Sequence, residues 1–222
     1  MPTATALRPT WYVDARHPDV RAFDRVATSG AATPAATAAA LFTAVRDHIR
    51  YDPYALDLRP EAMRASAVLA SDHNWCVPKA TLLTAACRAV GIPARIGLAD
   101  VRNHLSTPRL TELMGTDVFV CHGYTEIHVN GRWHKATPAF NRELCERFGV
   151  DPLTFDGAGD ALLHPYDGAG RRHMEYLTDH GTFDELPLEW IVHSLQQTYA
   201  HLAHAPHARP HDPGFHDPQD QP

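Results

Sequence analysis

The sequence predicts an α+β domain with helices packed on an antiparallel sheet, and three observations carry that prediction. After Cys76, the residues Ala80, Leu83, Cys87 and Val90 recur at helical spacing, Gly91 supplies a stop and Pro93 prevents the helix from resuming. Residues 118–129 and 132–137 flank Asn130-Gly131, the dipeptide favoured in a two-residue hairpin turn whose central residues both take positive φ. Upstream, Ala39, Phe42, Val45 and Ile49 lie three or four apart, with Arg46, Asp47 and Arg50 mostly off that face, so a helix precedes both.

Taken in order, residues 1–35 read as an N-terminal extension holding a short strand at Thr10-Trp11-Tyr12-Val13, then a loop and a small-residue run to Pro34. The helix from Ala35 is ended by Tyr51-Asp52-Pro53, and residues 54–73 read as a loop with a short helix around Glu61 to Leu69. The helix behind Cys76 is expected over 77–90, with Pro78 in its first turn, where a missing N–H costs nothing. Residues 92–100 alternate as a strand does, and 100–116 form an irregular connection with one short helix, a natural rim for a pocket. A short helix is expected over 142–148, then a Gly- and Asp-rich loop, then a last helix over 188–203. The tail, 204–222, is rich in His, Pro and Asp and is expected to be disordered.

A chain of 222 residues can bury a sizeable core as one domain. Its formal charge of -6 speaks against a nucleic-acid partner, which requires a basic face to displace counterions. No apolar run of membrane-spanning length occurs, so no membrane partner is expected. The first ten residues lack the basic end and apolar block of a signal peptide, which makes a cytoplasmic address the expectation. The 4 cysteines include no Cys-x-x-Cys pair and read as free thiols.

Chemistry enters at Asn74-Trp75-Cys76. A cysteine is most often a small buried hydrophobe, but Cys76 stands at a helix start, beside free N–H groups and the positive end of the macrodipole. Those fields favour thiolate and suit a nucleophile, and the same N–H groups can hold an oxyanion. A nucleophile needs a base, and the hairpin supplies His122. The turn sets Val129 opposite Arg132, His128 opposite Trp133 and Glu126 opposite Lys135. If the pairing runs on, Tyr124 meets Thr137 and His122 meets Ala139. His122, Tyr124, Glu126, Trp133, Lys135, Thr137 and Asn141 then share a face, so Thr137 and Asn141 are the candidates to touch the His122 ring. Glu126 and Lys135 read as an ordinary cross-strand ion pair.

Three pieces in this order resemble the transglutaminase-like superfamily. They are residues 42–52, ending Arg50-Tyr51-Asp52; Trp75-Cys76 with the helix leading to Gly91-Ile92-Pro93-Ala94-Arg95; and residues 122–133, from His122 through the turn to Trp133. The resemblance implies a papain-like core over 36–203, with the nucleophile helix packed on an antiparallel sheet. It implies acyl transfer: Cys76 attacks an amide or ester carbonyl, His122 shuttles the proton, and a thioester passes the acyl group to an amine or to water. Peptide, protein or small amide or ester substrates follow, with no cofactor and no metal. Where the family carries an aspartate four residues after the tryptophan, this chain has Thr137. Asn141 would restore a Cys-His-Asn arrangement like papain's. The alternative is a non-catalytic binding or scaffold module that keeps the fold.

Trp75 and Asn74 are candidates for the oxyanion site, with Trp75 equally a pocket wall. His104, His164 and His173, and the tail spacing His201, His204, His207, His211, read as surface histidines rather than metal ligands, since no Cys or carboxylate stands at ligand spacing. Cys87 and Cys121 are expected in the core and Cys145 as structural, and Arg171-Arg172 read as a solvated pair. Acyl acceptor and oligomeric state stay open.

Overall fold

The computed structural model describes residues 2, 4–104, 106–163, 169–171 and 173–200. In chain order its elements are α1 (Pro18–Ala27), α2 (Pro34–His48), β1 (Arg50–Tyr51), α3 (Ala65–Leu69), β2 (His73–Asn74), α4 (Cys76–Ala89), β3 (Ala94–Asn103), α5 (Pro108–Met114), β4 (Val118–Val129), β5 (Arg132–Ala136), α6 (Arg142–Phe148), β6 (Met174–Phe183) and α7 (Leu188–Thr198). The expected α+β class holds: helices pack on an antiparallel sheet of order β5-β4-β3-β6. A separate parallel pair, β1 with β2, sets Tyr51 beside Asn74 and delivers the chain to the start of α4.

Helix α4 lies between the sheet and the other helices, touching β3 and β4 on one side and α1, α2 and α3 on the other. It is therefore buried all round from Cys76 to Arg88, not along a single stripe, and Val90, expected on the apolar face, stands partly exposed beyond its end. Its buried polar groups are all engaged. Lys79 Nζ donates to the Arg46 and Ile49 carbonyls, closing the C-terminus of α2 from inside. Arg88 donates to the carbonyls of Ala94 (2.9 Å), Arg8 (2.7 Å) and Asp184 (2.9 Å), tying the helix to both ends of the fold. Thr125 Oγ1 of β4 donates to the Ala80 carbonyl at 2.9 Å, fixing helix against sheet.

The hairpin has the expected register, from Val129 opposite Arg132 through Glu126 opposite Lys135. Asn130 (φ 53) and Gly131 (φ 78) take the positive values that the turn requires. Two expectations fail beyond that. First, β5 leaves β4 after Ala136: the Thr137 N–H donates to the Ala161 carbonyl (2.9 Å), so the pairs Tyr124 with Thr137 and His122 with Ala139 do not form. Second, Glu126 and Lys135 pair in register but not in charge: Glu126 lies 4.0 Å from Arg95, and Lys135 bonds Asp179. In the β3–β4 ladder, His122 opposes Ala99 and Phe119 opposes Val101, so β4 carries an extra residue here. Cys121 takes it up with φ 58.

Part of the N-terminal extension packs into the same core. Val13, Ala15 and Val20 are fully or almost fully buried with Leu41, Phe42 and Leu83. Thr10 to Val13 form a closed turn, not a strand, with the Thr10 N–H on the Val13 carbonyl at 3.0 Å. The last helix ends at Thr198, and the tail 204–222, with His164 and Arg172, lies outside the described residues. Among the described residues no helix is long and apolar enough to cross a membrane.

Asp24 of α1 is 2% exposed, and neither carboxylate oxygen has a hydrogen-bond partner among the described residues. Burial pushes its carboxyl up to about 7. A folded-state value above the unfolded one means stability that is fully present below the unfolded value and lost as pH rises through about 7. Asp24→Leu should therefore raise the unfolding free energy by about 2 kcal/mol or more at pH 8, and by much less at pH 5. Urea denaturation at the two pH values checks this, and equal gains at both would refute it.

Candidate active site

The start of α4 is set by local hydrogen bonding. Asn74 Oδ1 accepts the Trp75 N–H at 3.1 Å, and the Asn74 carbonyl accepts the Asp52 N–H at 3.0 Å. Trp75 is extended (φ -89, ψ -178) and caps the helix, so Cys76 is its first helical residue. Asn74 thus shapes the turn, while Trp75 and Cys76 face a cavity of about 350 Å³. The backbone N–H groups of Gly123 and Val77 act on the Cys76 sulfur as hydrogen-bond donors that favour its thiolate.

Gly123 is the close approach that brings β4 to this point. A Cβ there would stand 2.7 Å from Val77 Cα and 3.0 Å from the Cys76 carbonyl oxygen, so no side chain fits. Its neighbour His122 lines the same cavity as Cys76. Both groups are nearly sealed, at 7% exposed for Cys76 and 4% for His122. Burial dominates their proton affinities: it pushes the Cys76 thiol up to about 11, against the N–H groups and the charge of Lys79, and it pulls the His122 imidazole down to about 4. Desolvation thus works against the expected lowering of the thiol pKa, and it favours the neutral form of both groups.

Behind His122 the structure places neither candidate in contact with the ring nitrogens. His122 Nε2 is buried with no hydrogen-bond partner among the described residues. Tyr176 of β6 stands edge-on to the imidazole, ring centroids 6.2 Å apart at 78°, and its hydroxyl lies 3.5 Å from Thr137 Oγ1. Thr137 therefore reaches His122 through Tyr176. Asn141, expected on a strand diagonal, instead caps α6, because β5 has already ended. Its Oδ1 accepts the Tyr51 N–H at 3.0 Å, and Tyr51 is a wall of the cavity.

Other polar groups converge here. The Trp75 indole Nε1–H and the Ser106 hydroxyl both belong to cavity-lining residues and are buried with no hydrogen-bond partner among the described residues. His173, expected at the surface, is buried, lines the cavity and stacks on Phe140 with ring centroids 6.0 Å apart. His104 is held by Glu175 at 3.1 Å. Cys87 and Cys121 are fully buried, as expected of core residues, and Cys145 is buried too. The contributions of Gly123, Tyr176 and His173 went unread in the sequence. Gly123 had a signal, since a glycine inside a strand marks a close backbone approach. Tyr176 and His173 had none, because they lie outside the hairpin, on or beside a strand that was not foreseen.

A cysteine opening a buried helix and a histidine on the neighbouring strand thus line one cavity of an α+β core. The chain belongs to the transglutaminase-like superfamily, whose model matches residues 21–138 and so spans the helices before the core, Cys76, His122 and Thr137. A comparison with curated proteins finds no match. Among solved structures it is similar to a candidate cysteine protease from Cytophaga hutchinsonii, at 17% identity and TM-score 0.49 over 81% of this chain and 46% of that one. It is also similar to a candidate protease from Parabacteroides distasonis, at 15% identity and TM-score 0.39 over 61% of this chain and 29% of that one. A third likeness is to a TGase, at 17% identity and TM-score 0.40 over 73% of this chain and 41% of that one. The chain thus spans less than half the length of each of these proteins.

Gly123→Ala should cost about 1–3 kcal/mol, because the added methyl meets backbone that cannot swing aside. It should also move β4 off the start of α4, changing the alkylation rate of Cys76. Thermal unfolding with timed iodoacetamide labelling checks both, and a variant as stable as the parent with unchanged labelling would refute the close-approach role.

Proposed function

We propose that the chain is a cysteine-dependent acyl-transfer enzyme or amide hydrolase, with Cys76 as nucleophile and His122 as general base. The observation that carries this is the placement of both residues on one cavity, with the N–H groups of Gly123 and Val77 around the sulfur. Membership of the transglutaminase-like superfamily supports the same reading.

The chemistry proceeds from a neutral pair. The Cys76 thiol gives its proton to His122 as sulfur attacks the carbonyl carbon, so charge separates only in the transition state. The carbonyl oxygen then carries the negative charge. Donors at the first turn of α4 and the unpaired Trp75 indole N–H are the groups that stabilise it. His122 returns the proton to the leaving group, and an amine or water, deprotonated by the same imidazole, releases the acyl group from the thioester. Thr137 acts at one remove, holding Tyr176 against the imidazole, and Asn141 holds Tyr51 in the cavity wall.

Several outcomes follow. Incubation with p-nitrophenyl acetate should leave one acetyl group on Cys76, detected by intact mass and peptide mapping. His122→Ala should slow that step by about 10²- to 10⁴-fold, and Trp75→Phe by about 10²-fold. Absence of any acetylated Cys76 would decide for the non-catalytic module. Because the base is a neutral imidazole held down to about 4, the acylation rate should stay flat from pH 7 to about 5 and fall only as pH drops through about 4. An acid limb near 6.5, in protein shown by fluorescence to be folded, would contradict the neutral-pair mechanism. At pH 7 iodoacetamide should modify Cys76 ahead of Cys87, Cys121 and Cys145, since the other three are as buried or more so and burial pushes their thiols up as well.

A further inference from the structure

The cavity beside Cys76 is built for one kind of acyl group. Its lining takes Leu110, Leu113 and Met114 from α5, and Phe140, Leu144 and Phe148 from α6 and just before it. Among the described residues that line it there is no Asp, Glu, Lys or Arg. Its polar members include Trp75, Asn103, Ser106, Thr107, His122 and His173. A volume of about 350 Å³ lies at the small end of ligand pockets. A charged side chain placed here would lose its hydration with no counter-charge in exchange.

We propose, resting on the nucleophilic role of Cys76, that this cavity is an acyl pocket, and that the acyl donors it selects carry an uncharged aliphatic chain of about six to ten carbons. The apolar walls make chain burial the source of selectivity, worth about fourfold in rate for each methylene taken up until the pocket is full. The step balances simply. With a p-nitrophenyl ester, the Cys76 S–C bond forms and the ester C–O bond breaks. p-Nitrophenolate departs with the electron pair, and the thiol proton passes to His122. Water then cleaves the thioester, giving the free carboxylic acid and the thiol.

Two measurements test this and keep it separable from the nucleophile assignment. In the first, the full chain is given p-nitrophenyl acetate, butyrate, hexanoate, octanoate and laurate, and acylation of Cys76 is timed. Octanoyl transfer should exceed acetyl transfer by about 10³-fold, and Leu113→Glu, on a partly exposed position, should reduce the octanoyl-to-acetyl ratio tenfold or more. In the second, Cys76→Ala is titrated calorimetrically with octanamide and with acetamide. Octanamide should bind, acetamide should not, and Leu113→Glu in that background should abolish binding. Acetyl transfer to Cys76 as fast as octanoyl transfer overturns the acyl pocket while leaving the nucleophile in place. Octanamide binding without acylation by any ester supports the pocket as an apolar binding site, overturns its role as an acyl pocket, and removes the nucleophile. No binding and no acylation overturns both.

Discussion

The contact between β4 and the first turn of α4 is the constraint on which the rest of this structure depends. It is a meeting of two backbones with only a hydrogen atom between them at Gly123. Because the strand comes this close, its N–H can reach the Cys76 sulfur, and the next residue up the strand, His122, comes to the cavity that the sulfur faces. The packing around α4 serves that contact. Lys79 anchors one side of the helix to the end of α2, Arg88 anchors the far end to three carbonyls, and Thr125 joins the middle to the sheet. A helix so tethered cannot retreat from the strand without breaking several buried hydrogen bonds, each costly to leave unmade.

The site is built at the expense of solvation. Trp75 Nε1, Ser106 Oγ and His122 Nε2 are buried without partners among the described residues. Three unmet groups on residues of one cavity make a local deficit of hydrogen bonding. The same burial disfavours the charged form of both thiol and imidazole. In the usual arrangement of the superfamily a carboxylate would hold an imidazolium. Here a tyrosine ring stands edge-on to the imidazole, with a threonine hydroxyl behind it.

Much of this was legible in the residues, and what was missed has physical reasons. The α4 helix, the Asn130-Gly131 turn, the hairpin register and α6 follow from local rules that tertiary packing did not override. Register past Ala136 did not follow, because the chain there trades its β4 partner for Ala161, a contact distant in sequence. The edge strand β6 was hidden because its residues are half-exposed and polar, with Asp179, His180 and Gly181 breaking any alternation. Helix α1 was hidden behind Pro18 and a run of charges, although its N-cap at His17 and the spacing of Val20, Phe23 and Ala27 were present. For Cys76, helix position was readable and burial was not, and burial decided the proton affinity.

The extra residue in β4 has an implication for how this protein tolerates change. Every residue of a strand alternates sides, so Phe119 and His122, three apart, share a side only because Cys121 absorbs one step with its left-handed backbone. Losing that one residue would restore a regular ladder, with Phe119 and His122 two apart and still on one side. Losing a second would turn one of the two to the opposite face.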